Sequence, residues 1–128
     1  MIRLNAFDQL WQSTIDFHNR FRSVPQSLHD ASECVMEEAK EVYQASKELD
    51  NAVKLGHPNV LQLEDALADE LADEIVTVMG VAISSGIGLY GLSQAMGRVS
   101  LKNDKKTRET HYLNPETGKI TRRNREQS

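Results

Sequence analysis

A chain of 128 residues with formal net charge −4 is long enough for one domain with a real core. Aromatic residues make up only 5%, while Ala, Leu, Glu, Gln and Lys recur, a balance that favours helix over sheet. A single cysteine excludes an internal disulfide framework and suits a reducing compartment. The first eleven residues, Met1 to Trp11, contain no apolar h-region, so no signal peptide is expected. The longest apolar run, Ile75 to Ile83, is about half the length that crosses a bilayer. The sequence therefore predicts a soluble, cytoplasmic protein with no membrane partner.

Four helices are expected in chain order. The first runs from about Leu4 to Phe21, with Leu4, Phe7, Leu10/Trp11, Thr14/Ile15 and His18 at three-four spacing. Val24-Pro25 ends it, because the residue before proline avoids the helical region. Ser27 is a suitable N-cap for a second helix reaching about Leu49, and Gly56-His57-Pro58-Asn59 breaks the chain after it. A third helix starts at Pro58 or Asn59 and runs to about Ser85. The Ser84-Ser85-Gly86-Ile87-Gly88 stretch separates it from a fourth, about Leu89 to Thr107. Connections this short fit an all-α, antiparallel four-helix bundle over residues 1–108. Residues 109–128 form a different kind of segment, a basic tail. In it, His111-Tyr112-Leu113 and Lys119-Ile120-Thr121 flank Asn114-Pro115-Glu116-Thr117-Gly118, which reads as an extended or hairpin tail. A lone hairpin is marginal in water, so the tail is expected to dock on the bundle or on a neighbouring subunit.

Charge is unevenly spread. Residues 1–97 carry −9 and residues 98–128 carry +5. An acidic body with a basic end suits a cation site and a phosphate-binding strip, although a solvated terminus has the same composition.

Two acidic groups stand out: Glu37, Glu38 and Glu41 on the second helix, and Glu70 and Asp73 on the third. At about 100° per residue each set lies within roughly a third of its helix circumference, and like charges that close repel. The second helix has its apolar stripe at Cys34, Val35, Val42, Ala45 and Leu49. Glu38 falls near the centre of that stripe, with Glu41 about 70° and Glu37 about 110° away. A carboxylate in an apolar stripe is costly unless paired or metal-bound. The third helix is apolar almost all round from Ile75 to Ile83, which predicts a central element contacted from several sides. Glu70 and Asp73 sit one turn before that stretch, and helical projection leaves Asp69 and Glu74 open as alternatives. Asp65, Asp69 and Glu48 read as a solvated charge face.

These residues resemble the signature of the all-α nucleoside triphosphate pyrophosphatases, the MazG-like and dimeric-dUTPase-like superfamily: Glu-Glu-x-x-Glu, a gap, then Glu-x-x-Asp. Glu37, Glu38 and Glu41 match the first part, and Glu70 and Asp73 the second. The likeness extends to Phe17-His18 and Phe21 before Pro25 and to Asn103 with Lys106, covering about residues 10 to 108. It implies hydrolysis between the α and β phosphates of a nucleotide, releasing a monophosphate and pyrophosphate, in a dimer or a dimer of dimers. It also implies Mg²⁺, with Mn²⁺ as a substitute, on Glu38, Glu41, Glu70 and Asp73, and Glu37 or Glu38 as general base. Lys102, Asn103, Lys106 and Arg108 are candidates for the distal phosphates, with an exposed basic helix end as the bland alternative. Trp11, Phe17, His18 and Phe21 offer stacking surface and a polar handle for a base, and for Trp11 and Phe17 simple core packing explains the residue somewhat better. His29, His57 and His111 lack zinc-like spacing, and Cys34 reads as core rather than nucleophile.

Phosphoribosyl-ATP pyrophosphohydrolase has a similar motif, but its members follow the second acidic pair with Leu-(Leu/Ile)-Tyr-His, where this chain has Glu74-Ile75-Val76-Thr77. A non-catalytic helical module that touches nucleic acid or protein through the basic tail is the alternative of another class. It leaves Glu38 unexplained, so nucleic acid is not the expected partner.

Overall fold

The computed structural model describes residues 5–124, which form four α-helices and one two-stranded sheet. Helix α1 spans Ala6–Phe21, α2 Leu28–Leu55, α3 Val60–Ser84 and α4 Gly88–Asp104; strands β1 and β2 are His111–Leu113 and Ile120–Arg122. Leu4, the first apolar position expected of helix one, lies outside the described residues. The chain divides into two compact units, one ending at Leu89 and the other beginning at Tyr90. Four helices are present as expected, but α1, α2 and α3 make up the first unit, and all of α4 beyond Leu89 belongs to the second.

Local chemistry sets the helix ends in the first unit. Asn5 Oδ1 accepts from the Asp8 amide at 2.8 Å and Ser27 Oγ from the Asp30 amide at 3.1 Å, so each N-terminus has one of its free donors satisfied. The second helix runs six residues past the expected Leu49. Lys54 pairs with Asp50 one turn back at 2.8 Å, and Ala52 is buried, so the last turns are held by both charge and packing. It stops where Gly56 takes φ +66°, a left-handed cap in which the His57 amide reaches the Ala52 carbonyl at 3.0 Å. The α2–α3 pair dominates the packing of this unit, and α1 lies on α3. Its core is small: Trp11, Ala31, Ala52, Met79 and Ala82 are buried, with Met79 enclosed completely. Thr14 is buried beside them, its hydroxyl donating to the Leu10 carbonyl at 2.7 Å and lying 3.9 Å from Met79 Sδ.

In the second unit α4 has no buried residue. It ends at Asp104, three residues before the expected Thr107, because the chain turns there: the Thr107 amide donates to Thr110 Oγ1 at 3.0 Å. The tail is the expected hairpin. β1 and β2 are antiparallel, with His111 opposite Arg122, Tyr112 opposite Thr121 and Leu113 opposite Ile120. Its turn is closed by Asn114, whose side chain accepts from the Glu116 amide at 3.0 Å, and by Gly118 at φ +71°. Arg123 braces the hairpin, its Nε donating to the Arg108 carbonyl at 2.9 Å and its guanidinium lying 5.5 Å from the Tyr112 ring centre.

Candidate metal centre

The α2–α3 seam carries the carboxylates. Cys34, Val35, Glu38, Val42, Ala45 and Leu49 are all half-buried along α2, while Glu37 and Glu41 are exposed, the ordering that the helical projection gives. Across the seam, Glu70 and Glu74 are half-buried and Asp69 and Asp73 exposed. One carboxylate oxygen from each of Glu38, Glu41 and Glu70 lies within 4.8 Å of the other two. Glu38 Oε2 and Glu70 Oε2 are buried with no hydrogen-bond partner, and so is Glu74 Oε2. Such an oxygen costs free energy until a proton or a cation reaches it.

Electrostatics point the same way. Burial pushes the Glu38 carboxyl up to about 7, helped by a hydrogen bond that protonated Glu38 donates to Glu41 and by the charges of Glu41, Asp73 and Glu70. Glu70 is raised as well. Its proton is held first by donation to Glu41, then by burial and the charges of Glu41 and Asp73, while accepting from Glu38 acts in the opposite sense. Asp73 therefore contributes through its field, whereas Glu38, Glu41 and Glu70 form the close cluster. Glu37, next in sequence to Glu38, lies outside it. Of the two alternatives left open on α3, Glu74 has a buried oxygen and Asp69 does not. The signal for Glu74 was its position four residues after Glu70, on the same face of the helix.

One helical turn before Glu38 lies Cys34, about 6 Å along the axis, and there a second feature begins. The Gln26 amide Nε2 donates to Cys34 Sγ at 3.6 Å. On α3, a Cβ placed on Gly80 would sit 3.7 Å from both Gln26 Oε1 and His18 Nε2, so both groups lie over this point of the helix at ordinary contact distance. His18 and Gln26, with Asn19, Arg22, Ile83 and Ser84, line a cavity of about 300 Å³. Burial and then the Arg22 charge lower the His18 pKa, which keeps its imidazole neutral at neutral pH. Phe17 meets the His18 ring edge-on at 5.9 Å and lies 5.2 Å from Phe21, both phenyl rings largely exposed. Trp11 belongs instead to the core. Gln26 was missed in the sequence because it sits in the irregular link before α2, where no periodicity marks it.

The expected phosphate-binding residues fall in the second unit. Asn103, Lys106, Arg108, His111, Tyr112 and Ile120 line a groove of about 710 Å³, in which Lys106 Nζ donates to Asn103 Oδ1 at 3.1 Å. Lys102 is exposed on the preceding turn and does not line it. Among the described residues no single helix is long and apolar enough to cross a membrane. Comparison with protein-family models, with curated proteins and with solved structures finds no match to this chain.

Proposed function

We propose that this chain is a magnesium-dependent nucleoside triphosphate pyrophosphohydrolase that cleaves between the α and β phosphates. The observation that carries the proposal is the Glu38–Glu41–Glu70 cluster, three acidic side chains drawn within 4.8 Å in an apolar seam, two of them with an oxygen that no protein donor reaches. Solvated charge faces do not bury unpaired oxygens. The donor set is all oxygen and strongly anionic, which fits a hard divalent cation and disfavours softer metals.

Glu38, Glu41 and Glu70 would hold Mg²⁺, with Asp73 adding charge beside them; Mn²⁺ suits the same donors. Bound there, such an ion would supply positive charge to offset the negative charge of the phosphates. The protein's own contribution is to fix the carboxylates on two long helices before substrate arrives, so little reorganisation is left for the reaction. A proton must leave the attacking water, and the acceptor is Glu38 or the exposed Glu37. The cavity between His18 and Gln26 offers a neutral imidazole, held edge-on by Phe17, and a side-chain amide for the polar edge of a base. An antiparallel arrangement of the helices accords with this reading.

The test is a pyrophosphate-release screen across ribo- and deoxynucleoside triphosphates, with and without Mg²⁺ or Mn²⁺. Metal-dependent release that Glu38→Gln abolishes is expected. Absence of turnover with every nucleotide, or full turnover by Glu38→Gln, overturns the proposal. Equal activity of Glu37→Gln and the wild type would assign the proton acceptor to Glu38.

A further inference from the structure

The basic residues near the end of the chain have no part in the carboxylate seam, because they fold into the second unit. From Tyr90 to Asn124 that unit has eight Lys and Arg against three Asp and Glu, a formal charge of +5. The ion pairs among the described residues, His29–Glu33 and Lys54–Asp50, lie on α2, so none of the eight is paired with a carboxylate. Lys106 and Arg108 line the groove of about 710 Å³ together with His111, Tyr112, Leu113 and Ile120, whereas Asp104, Glu109 and Glu116 do not reach it. Lys106 is half-buried, and its bond to Asn103 Oδ1 at 3.1 Å uses one of the three donors of the ammonium. Every lining residue comes from this one unit, so the groove is complete within it.

The lining is mixed in a particular way. Cations alone would suit a phosphate, but Tyr112, Leu113 and Ile120 add a planar ring and apolar side chains that a phosphate or a triphosphate tail does not use. The Arg123 guanidinium lies 5.5 Å from the Tyr112 ring centre and its Nε is fixed on the Arg108 carbonyl at 2.9 Å, so the ring is held from one face. Positive charge continues onto β2, where Arg122 stands opposite His111 and Lys119 precedes Ile120, the partner of Leu113. A ligand that alternates phosphates with planar bases matches both parts of this lining. From it we infer that the unit formed by α4 and the hairpin binds single-stranded nucleic acid. Lys106, Arg108 and Arg122 take backbone phosphates, and Tyr112 stacks a base on the face that Arg123 leaves free. A duplex is a poorer match, since its bases are stacked on one another and offer Tyr112 no face. The inference does not rest on the hydrolase reading. Glu38, whose place in an apolar stripe argues for a cation instead of nucleic acid, belongs to the first unit and has no bearing on a groove built by the second.

Fluorescence anisotropy of a labelled single strand of about 12 nucleotides, titrated with the full chain in EDTA, tests it. With three phosphate contacts the logarithmic salt slope should be about −2, which weakens binding about 20-fold between about 50 and about 200 mM salt. Arg108→Ala should flatten that slope by about 0.7. Tyr112→Ala should weaken binding about tenfold or more and Tyr112→Phe should leave it unchanged, since stacking needs the ring and not the hydroxyl. Absence of binding at high micromolar protein in low salt overturns the inference. So does binding that ignores salt, a duplex of the same length bound as tightly, or a nucleoside monophosphate bound as tightly as the strand. Wild-type affinity in Tyr112→Ala with its hairpin intact, read from amide chemical shifts, overturns it as well. If Tyr112→Ala loses the hairpin, Arg108→Ala decides alone: a flatter slope supports the groove and an unchanged slope overturns it. The EDTA suppresses metal-dependent turnover and the probe carries no triphosphate, so failure here and failure of the hydrolase proposal are distinguishable.

Discussion

Protonating Glu38 should release a bound divalent cation, and the structure sets how steeply. The Glu38 carboxyl, held at about 7 by burial and by Glu41, Asp73 and Glu70, must lose its proton before both oxygens can serve a metal. With that midpoint about nine-tenths of the chains have Glu38 ionised at pH 8 and about one-tenth at pH 6, so cation affinity should fall about tenfold over those two units. Glu70 is shifted in the same direction and adds to the slope, which makes tenfold a lower bound. Isothermal titration of Mn²⁺ or Mg²⁺ into the protein at pH 6, 7 and 8 measures this. Repeating the pH 7 titration in two buffers of different ionisation enthalpy counts the proton released, expected at about half a proton or more per ion. Glu38→Gln should remove most of that release and weaken binding at pH 8. Affinities equal within about twofold from pH 6 to pH 8, or no proton release at pH 7, would show that Glu38 is not a ligand whatever else the cluster does.

Three further outcomes follow from the same residues. Because Glu38 and Glu70 bind protons more tightly in the folded chain than in the unfolded one, their contribution to stability is fully present below their ordinary range near 4.5 and is lost as pH rises, for Glu38 through about 7. In EDTA the melting temperature should therefore fall between about pH 5 and pH 7 and level off above, and Glu38→Gln should raise it at pH 7 and above and flatten that fall; His18, shifted the opposite way, acts with the reverse sign and only below about 6.5. Met79→Ala removes a large side chain that is completely enclosed, so it should cost about 2–5 kcal/mol by the cavity rule and lower the melting temperature by about 10 °C or more. Gly80→Ala should do the reverse: its Cβ meets Gln26 and His18 at 3.7 Å, an ordinary contact, while helix propensity gains about 1 kcal/mol, so the urea midpoint should rise.

The legible parts of this protein are those set by local periodicity. Glu38 was marked because the spacing of Cys34, Val35, Val42 and Ala45 leaves an apolar face whose centre is a glutamate, and the structure half-buries that residue and exposes Glu37 and Glu41. Helix caps at Asn59, Ser27 and Gly56 follow the same logic, although Asn59 caps nothing with its side chain. What the sequence does not contain is the rotation of one helix against another. That rotation decides that Glu70 rather than Asp73 closes the cluster with Glu38 and Glu41, that Glu74 turns an oxygen inward, and that Gln26 reaches Cys34 across the link between α1 and α2. The grouping of α4 with the hairpin rather than with α1–α3 is likewise a matter of tertiary contact, which the periodicity of α4 does not reveal.

The cluster and the fold are linked more closely than a site placed on a finished scaffold. The α2–α3 pair supplies most of the packing of its unit, and the buried, unpartnered oxygens lie in that same seam. Closing the seam brings like charges together, so the folded state carries an electrostatic cost that the unfolded chain escapes. A cation that binds the closed seam and not the open chain removes that cost, and by linkage the closed seam must in turn raise the affinity for the cation. A proton and a divalent cation would thus compete for one position while both favouring the same helix pairing. The distinction between them is charge number: a proton satisfies one oxygen of Glu38 or Glu70, whereas a divalent ion would satisfy the three carboxylates at once. Metal-free protein should consequently be most stable where the cluster is protonated, and metal-loaded protein should keep its stability on into the alkaline range where the carboxylates are free to bind.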